Sequence, residues 1–192
     1  MSRYGLLIIT LVIINVQPGF AQENPDIKKI RSTFQKWQPF IDRETVNHAQ
    51  LYKYVWGNDQ QYYKWTKENL ESDSLTLVET ASILENKDLG TFVLINQSTS
   101  SGDWYIVAEY YYNKSGGLYF IFWRMNTFYA EIPLSIEKRG YFDENGRLIR
   151  NLKTVYKMNT KEKVDISFMD KPVDYKLNLS DLEFYKYWKL GK

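Results

Sequence analysis

Apolar residues recur at every third or fourth position near the start of the chain, with lysine, arginine and glutamine between them. The apolar positions are Ile27, Ile30, Phe34, Trp37 and Ile41. Asn24 and Pro25 precede them as a helix cap and a first-turn proline. The spacing predicts an amphipathic helix over residues 26–41. Pro39 is expected to kink or end this helix because proline lacks the N–H group that a helix interior uses.

After this helix, apolar and polar positions alternate with a period of two, and turn residues interrupt the alternation. The predicted strands are residues 51–56, 60–67, 75–85, 90–97, 103–112, 118–125, 131–142, 147–158 and 163–169. A helix over residues 45–56 is the alternative for the first of them. Pro133 is expected at an edge or a bulge because it cannot donate to a sheet.

Two stretches share one pattern of turn residues, residues 112–118 and 142–148. In each, an aromatic residue precedes Asn113 or Asp143, and Gly116 or Gly146 follows three positions later. Asn and Asp open turns through their side chains, and glycine adopts the positive φ that closes them. Both stretches therefore predict β-hairpins with short loops.

Two consecutive predicted strands are apolar on both faces. The first places Trp104, Ile106, Ala108, Tyr110 and Tyr112 on one face and Tyr105, Val107, Glu109 and Tyr111 on the other. The second places Leu118, Phe120 and Phe122 opposite Tyr119, Ile121 and Trp123. A strand with two apolar faces lies at the centre of a sheet that is covered on both sides, or lines a cavity.

The end of the chain predicts a second, shorter helix over residues 181–190. Ser180 and Glu183 have the spacing of a capping box, and Gly191 stands where a helix C-cap belongs. The predicted fold class is α+β, in which an N-terminal amphipathic helix packs on a large, twisted antiparallel β-meander. No boundary is apparent within residues 22–192, which we predict to form one domain.

The composition supports a globular β-rich protein. Of the 192 residues, 44% are apolar and 17% are aromatic, including 16 tyrosines, and tyrosine favours pleated, half-buried surfaces. The chain contains no cysteine, so disulfides and a lipid anchor on cysteine are excluded. The net charge of +2 gives no basic excess and argues against a nucleic-acid partner.

Residues 1–21 have the pattern of a secretory signal peptide. Arg3 supplies a positive charge, residues 6–16 are apolar but too few to span a bilayer, and Gly19 and Ala21 are small. We expect cleavage after Ala21 and a mature protein that is periplasmic or secreted and has no transmembrane segment.

The hairpin pattern in residues 112–118 and 141–148, aromatic-Asp/Asn-x-x-Gly-x-Leu, resembles that of small exported proteins of Bacteroidota. Those proteins carry an N-terminal helix before such hairpins. The resemblance implies an envelope protein and supplies no catalytic residue. The motif is also similar to tyrosine-aspartate repeats of Rhs-type shells and to MORN-like repeats, which need many copies to stack.

The sequence offers little for metal or cofactor chemistry, and we predict neither. His48 is the one histidine, so the usual zinc ligand sets are missing. Residues 143–146 do not continue into a calcium ligand ladder. No G-x-S-x-G elbow and no glycine-rich phosphate loop are present.

Glu109 is the candidate for acid–base catalysis. It lies among aromatic residues, and burial there would raise the pKa of its carboxyl. Hydrolysis of glycans needs a second carboxyl, for which Glu131 and Glu137 are the candidates. The alternative is that Glu109 pairs with Arg124 across the sheet.

Binding is the function that the aromatic strands favour. The candidate ligand-binding residues are Trp104, Tyr105, Tyr111, Tyr119 and Trp123. Our first hypothesis is a non-catalytic accessory or binding protein of the cell envelope, with a protein, glycan or lipid partner. The alternatives are a carrier that holds an apolar ligand between sheet and helix, and a glycan hydrolase that uses Glu109.

Overall fold

A computed structural model of the protein describes residues 24–47, 51–56, 61–64, 79–99, 101–128, 131–165 and 171–190. The predicted signal peptide and His48 lie outside these residues. The described helices are α1 (Pro25–Asn47) and α2 (Tyr185–Leu190), and a 3₁₀ turn (Leu179–Asp181) precedes α2. The strands are β1 (Leu51–Trp56), β2 (Tyr62–Lys64), β3 (Glu79–Asn86), β4 (Gly90–Ser98), β5 (Trp104–Tyr112), β6 (Leu118–Thr127), β7 (Leu134–Phe142), β8 (Leu148–Lys157) and β9 (Lys163–Val164). The predicted α+β class is confirmed.

The described strands form one antiparallel sheet in the order β2-β1-β3-β4-β5-β6-β7-β8-β9. From β3 onward each strand pairs with the next, so the predicted meander is confirmed. Trp56 pairs with Tyr62, which confirms the hairpin prediction for β1 and excludes the helix over residues 45–56. The predicted turn of this hairpin, residues 57–59, lies outside the described residues.

The β5–β6 and β7–β8 connections have the same turn. In each, the side-chain Oδ1 atom of Asn113 or Asp143 accepts hydrogen bonds of 2.9–3.0 Å from the backbone N–H groups two and four residues later. Gly116 and Gly146 have φ of +86° and +74°. Both predicted hairpins are confirmed. In each turn the Asx side chain accepts backbone hydrogen bonds, and the glycine adopts the positive φ that closes the turn.

A one-residue irregularity follows the first of these turns. Tyr112 pairs with Leu118, whereas Tyr111 pairs with Phe120, so Tyr119 is an extra residue on β6, as in a β-bulge. The predicted faces of this strand are therefore partly wrong. Leu118 joins the cluster that contains Ile121 and Trp123, and Tyr119 packs with the opposite cluster.

The sheet is buried on both faces at β5 and β6, as the two apolar faces predict. The buried cluster on the α1 side consists of Ile27, Ile30, Trp37, Leu84, Phe92, Tyr111, Phe120 and Tyr141. The cluster on the other side includes Val93, Ile106, Tyr110, Tyr112, Ile121, Trp123, Ile136, Phe184 and Trp188. Trp37 is completely buried and donates a hydrogen bond from Nε1 to the Tyr119 hydroxyl at 3.0 Å.

The prediction that α1 ends near Ile41 was wrong, since the helix continues to Asn47 with Pro39 inside it. Pro39 cannot donate to the carbonyl of Gln35. Both residues are exposed, so water can reach that carbonyl, and the helix tolerates the proline there.

The predicted capping box of Ser180 and Glu183 was also wrong. Ser180 lies within the 3₁₀ turn, where the backbone N–H of Asn178 donates to Asp181 Oδ2 at 2.8 Å. The capping pair is therefore Asn178 and Asp181, two positions before the predicted pair, and α2 begins only at Tyr185.

Pro133 lies just before β7 and not in an edge strand or a bulge. Its carbonyl accepts a hydrogen bond from Met158 N at 2.9 Å. A proline before the first residue of a strand leaves the ladder of the central strand β7 intact.

Candidate ligand-binding groove beside the long helix

The five predicted ligand-binding rings do not form one site. Tyr105, Tyr111 and Tyr119 lie on the α1 side of the sheet, whereas Trp104 and Trp123 lie on the α2 side, because successive strand residues point to opposite faces. Tyr119 lines a depression at the start of α1, and Trp123 lines a pocket on the opposite face of the sheet.

On the α1 side, cross-strand neighbours of β5, β6 and β7 form rows. One row is Tyr111–Phe120–Tyr141, and the next is Glu109–Phe122–Arg139. Adjacent strands lie about 4.8 Å apart, and these rows, two residues apart along each strand, lie about 6.7 Å apart. The sheet thus changes from wholly aromatic to mixed aromatic and charged over one step.

An open groove of about 470 Å³ lies where these two rows meet α1. Its floor is formed by Glu109, Phe120, Phe122, Arg139 and Tyr141, and its helical wall by Ile30, Arg31, Phe34, Gln35 and Gln38. Ile30, Phe34 and Gln38 follow one another at intervals of four, as do Arg31 and Gln35, so the five side chains lie on one side of α1. We call this the α1 groove.

The α1 groove has two layers of rings. Phe120 and Tyr141 are buried, and their centroids lie 5.0 Å apart. Phe34 and Phe122 are only half-buried, and Phe34 meets Phe120 edge to face at 5.3 Å. The half-buried rings therefore present apolar surface to the groove over a rigid, buried base.

Glu109 is the carboxyl of the α1 groove. Burial raises its pKa, whereas a hydrogen bond from the Tyr111 hydroxyl and the charge of Arg124 lower it, with a net upward shift. The Tyr111 oxygen lies 2.7 Å from Glu109 Oε2. Glu109 therefore retains a proton to higher pH than an exposed glutamate.

Two guanidinium groups border the same groove, and each lies over a ring. Arg139 Cζ is 5.2 Å from the centroid of Phe122, and Arg31 Cζ is 6.0 Å from that of Tyr141. Arg139 Nη2 also forms an ion pair with Glu137 Oε2 at 2.8 Å. Stacking and the ion pair fix Arg139 in a defined orientation, because its planar group suits both contacts.

The predicted carboxyl partners of Glu109 lie elsewhere. Glu137 is opposite Arg124 in the sheet and paired with Arg139, and Glu131 precedes β7. Among the described residues that line the α1 groove, Glu109 is the sole carboxyl. The direct neighbour of Glu109 on β6 is Phe122, and Arg124 lies diagonally across from Glu109. The charge of Arg124 lowers the pKa of Glu109.

Trp123 lines a smaller pocket of about 150 Å³ on the α2 side. Three acidic residues line this pocket, Glu79, Asp174 and Glu183. The Glu79 carboxyl accepts hydrogen bonds from the Tyr62 hydroxyl and from Gln97 Nε2. Burial raises the pKa of Glu79. On the same side, Lys171 Nζ lies 3.4 Å from the ring centroid of Trp104, so this ring is covered.

A wider depression of about 630 Å³ lies between the start of α1 and three hairpin turns. Its rim carries both signs of charge, and Lys29 and Glu144 form an exposed ion pair at 3.1 Å. It has fewer rings than the α1 groove, and exposed ion pairs contribute little binding energy. The α1 groove is therefore the better candidate site.

Within the described ranges, no group of three or more His, Cys, Asp and Glu side chains is arranged to hold a metal ion. None of the helices in the described part of the chain is long and apolar enough to cross a membrane.

Several groove residues were missed by the sequence analysis. Arg31 and Gln35 were placed on the polar side of the helix, and Arg139 and Tyr141 had no assigned role. The available signal was the spacing of Arg31, Gln35 and Gln38, which follow one edge of the apolar stripe at intervals of four and three.

No family model matches the chain, and no curated protein or solved structure matches it either.

Proposed function

We propose that the protein is a non-catalytic binding protein that holds a small ligand with an apolar body in the α1 groove. The observation that carries this proposal is the pair of half-buried rings, Phe34 and Phe122, on a groove of about 470 Å³. This volume lies in the range of small-molecule sites, which combine apolar walls with a few polar groups.

In this proposal α1 is a fixed cover on a twisted sheet, and the ligand lies along one edge of the helix. The ring contacts of Phe34 with Tyr111 and Phe120, at 5.4 and 5.3 Å, support a fixed helix. So does the hydrogen bond from Trp37 to Tyr119. A rigid wall favours binding because little side-chain freedom is lost when the ligand enters.

The non-catalytic assignment rests on the surroundings of Glu109. Hydrolysis of a glycosidic bond uses two carboxyls on either side of the bond, and the described lining of the groove supplies one. The Tyr111 hydroxyl donates to Glu109 Oε2, which suits a carboxyl that binds a ligand through hydrogen bonds.

We place the protein in the periplasm or outside the cell, as a component of the envelope. The support for this location is the sequence of residues 1–21, with Arg3, an apolar core and small residues before the expected cleavage site. A protein in this compartment would meet its ligand outside the cytoplasm.

The test uses N-phenyl-1-naphthylamine, an uncharged probe that fluoresces in apolar sites. We expect saturable binding to the wild-type protein. Gln35→Trp places a large ring in the groove from an exposed position and should weaken binding about tenfold or more. Lys36→Trp is the matched control, since Lys36 is the exposed neighbour that does not line the groove. Equal binding by both variants would overturn the proposed site.

A further inference from the structure

We infer that the ligand of the α1 groove ends in a carboxylate group, which Arg139 and Glu109 bind from the two sides of Phe122. This inference rests on the proposed function and specifies the class of ligand. It is carried by the row Glu109–Phe122–Arg139, in which the carboxyl and the guanidinium are the two cross-strand neighbours of one half-buried ring.

The charges that line the groove favour an anion. Arg31 and Arg139 are two permanent positive charges, and Glu109 is at most one negative charge among the described lining residues. The lining is therefore positive whether Glu109 is protonated or ionised. Glu137 offsets part of the charge of Arg139, but it lies outside the lining.

The geometry of Arg139 suits a carboxylate. Its guanidinium lies over Phe122 and uses Nη2 for the ion pair with Glu137. A guanidinium has five N–H donors in one plane, so an ion pair through one nitrogen leaves donors that a planar carboxylate can meet. An apolar chain attached to that carboxylate would then cross Phe122 and Phe34.

Glu109 supplies a second, different contact. The Tyr111 hydroxyl donates to Oε2, and a protonated Glu109 can donate from its carboxyl group to a ligand oxygen. Two carboxyl groups that share one proton form a strong hydrogen bond, whereas two ionised carboxyls repel each other. A ligand with a doubly charged phosphate would meet more repulsion from Glu109, which favours a carboxylate.

The experiment measures displacement of N-phenyl-1-naphthylamine by decanoate and by decan-1-ol, which share one chain and differ in the head group. For the wild-type protein we expect decanoate to displace the probe at a concentration about tenfold lower, because charge-assisted hydrogen bonds add to the same apolar contact. Arg139→Gln should remove this preference, so that decanoate and decan-1-ol displace the probe at similar concentrations. Arg139→Lys should restore part of it, because lysine keeps the charge without the planar fork.

Arg147→Gln is the control, since Arg147 is an exposed arginine in the β7–β8 turn that pairs with Asp143 at 2.8 Å, away from the groove. It should keep the full preference for decanoate. If decanoate and decan-1-ol displace the probe equally while Gln35→Trp still weakens probe binding, the inference of a carboxylate ligand is wrong and the proposed function stands. If Gln35→Trp does not weaken probe binding, the proposed function itself is wrong. A preference that survives in Arg139→Gln would overturn the role of Arg139.

Discussion

The hydroxyl of Tyr111 donates a hydrogen bond of 2.7 Å to the Oε2 atom of Glu109, two positions before it on β5. Residues two apart on a strand lie on the same face, so this bond joins the aromatic row of the α1 side to the charged row. Tyr111 is completely buried, and its ring contacts Phe34 of the helix at 5.4 Å. The pair thus connects the packing of α1 to the carboxyl of the groove.

We predict that Tyr111→Phe lowers the free energy of unfolding by about 1–2 kcal/mol, because it leaves a partly buried carboxyl without this donor. It should also raise the pKa of Glu109 further, since the lost bond favours the ionised form. Urea unfolding and an NMR titration of the Glu109 side chain measure the two effects.

Tyr105→Phe is the matched control. The Tyr105 hydroxyl donates to Asn96 Oδ1 at 2.8 Å, but this tyrosine is 40% exposed, so water can replace the bond. We expect a change within about 0.5 kcal/mol and no effect on Glu109. Equal losses of stability in the two variants would contradict the role given to burial at Tyr111.

We predict that the protein becomes less stable as the pH rises above 4.5 through the folded pKa values of Glu79 and Glu109. Burial raises both pKa values from the ordinary 4.5. In that window the folded state binds more protons than the unfolded state, so the free energy of unfolding falls with pH. Urea unfolding measured at successive pH values tests this dependence.

Glu79→Gln and Glu109→Gln should each reduce this slope, because glutamine does not titrate. Asp103→Asn is the control for the removal of an exposed carboxyl, which accepts a hydrogen bond from Ser101 at 2.6 Å. A pH dependence that is the same in the wild-type protein and both glutamine variants would show that other groups cause it.

The core of the fold was predictable because burial and periodicity carry the same information. Ile27, Ile30 and Trp37 are buried at the positions that the helical spacing indicated, and Gly116 and Gly146 have the expected positive φ. Turn chemistry depends on neighbours within the turn, and an amphipathic stripe depends on residues within two helical turns. Local sequence is sufficient for both.

The bulge at Tyr119 and the α1 groove were not predictable in this way. Residues 118–123 are apolar at every position, so a shift by one residue leaves no mismatch that the sequence could reveal. The groove depends on Arg31, Glu109 and Arg139, which are far apart in the chain and meet only through the order of the strands. Their individual patterns indicate a solvated helix face around Arg31, a strand with two apolar faces around Glu109 and an ordinary alternating strand around Arg139.

We predict that decanoate binds more weakly as the pH rises through the folded pKa of Glu109. Ionised Glu109 would repel the ligand, whereas protonated Glu109 donates a hydrogen bond to it. The charged or titratable groups near Glu109 are Tyr111 on its own strand, Arg124 on β6, Arg139 on β7 and Arg31 on α1. The arginines stay charged throughout, so Glu109 sets the dependence.

Displacement of the uncharged probe at successive pH values measures this effect. Glu109→Gln should show a smaller pH dependence for decanoate, because only the titration of decanoate itself remains, and decan-1-ol should show no dependence in either protein. If Glu109→Gln shows the same pH dependence of decanoate binding as the wild-type protein, Glu109 does not contact the ligand.

We predict that Gly146→Val lowers the free energy of unfolding by about 1–2 kcal/mol through backbone strain alone. Gly146 has φ of +74°, and a Cβ atom there would meet no atom within 4 Å, so a clash of the Cβ atom with its surroundings does not add to the strain. Gly146→Asn is the matched control, since asparagine tolerates this conformation far better than a β-branched residue. It should recover most of the stability in urea unfolding. If the valine and asparagine variants lose the same free energy of unfolding, strain from the positive φ of Gly146 is not the cause of the loss.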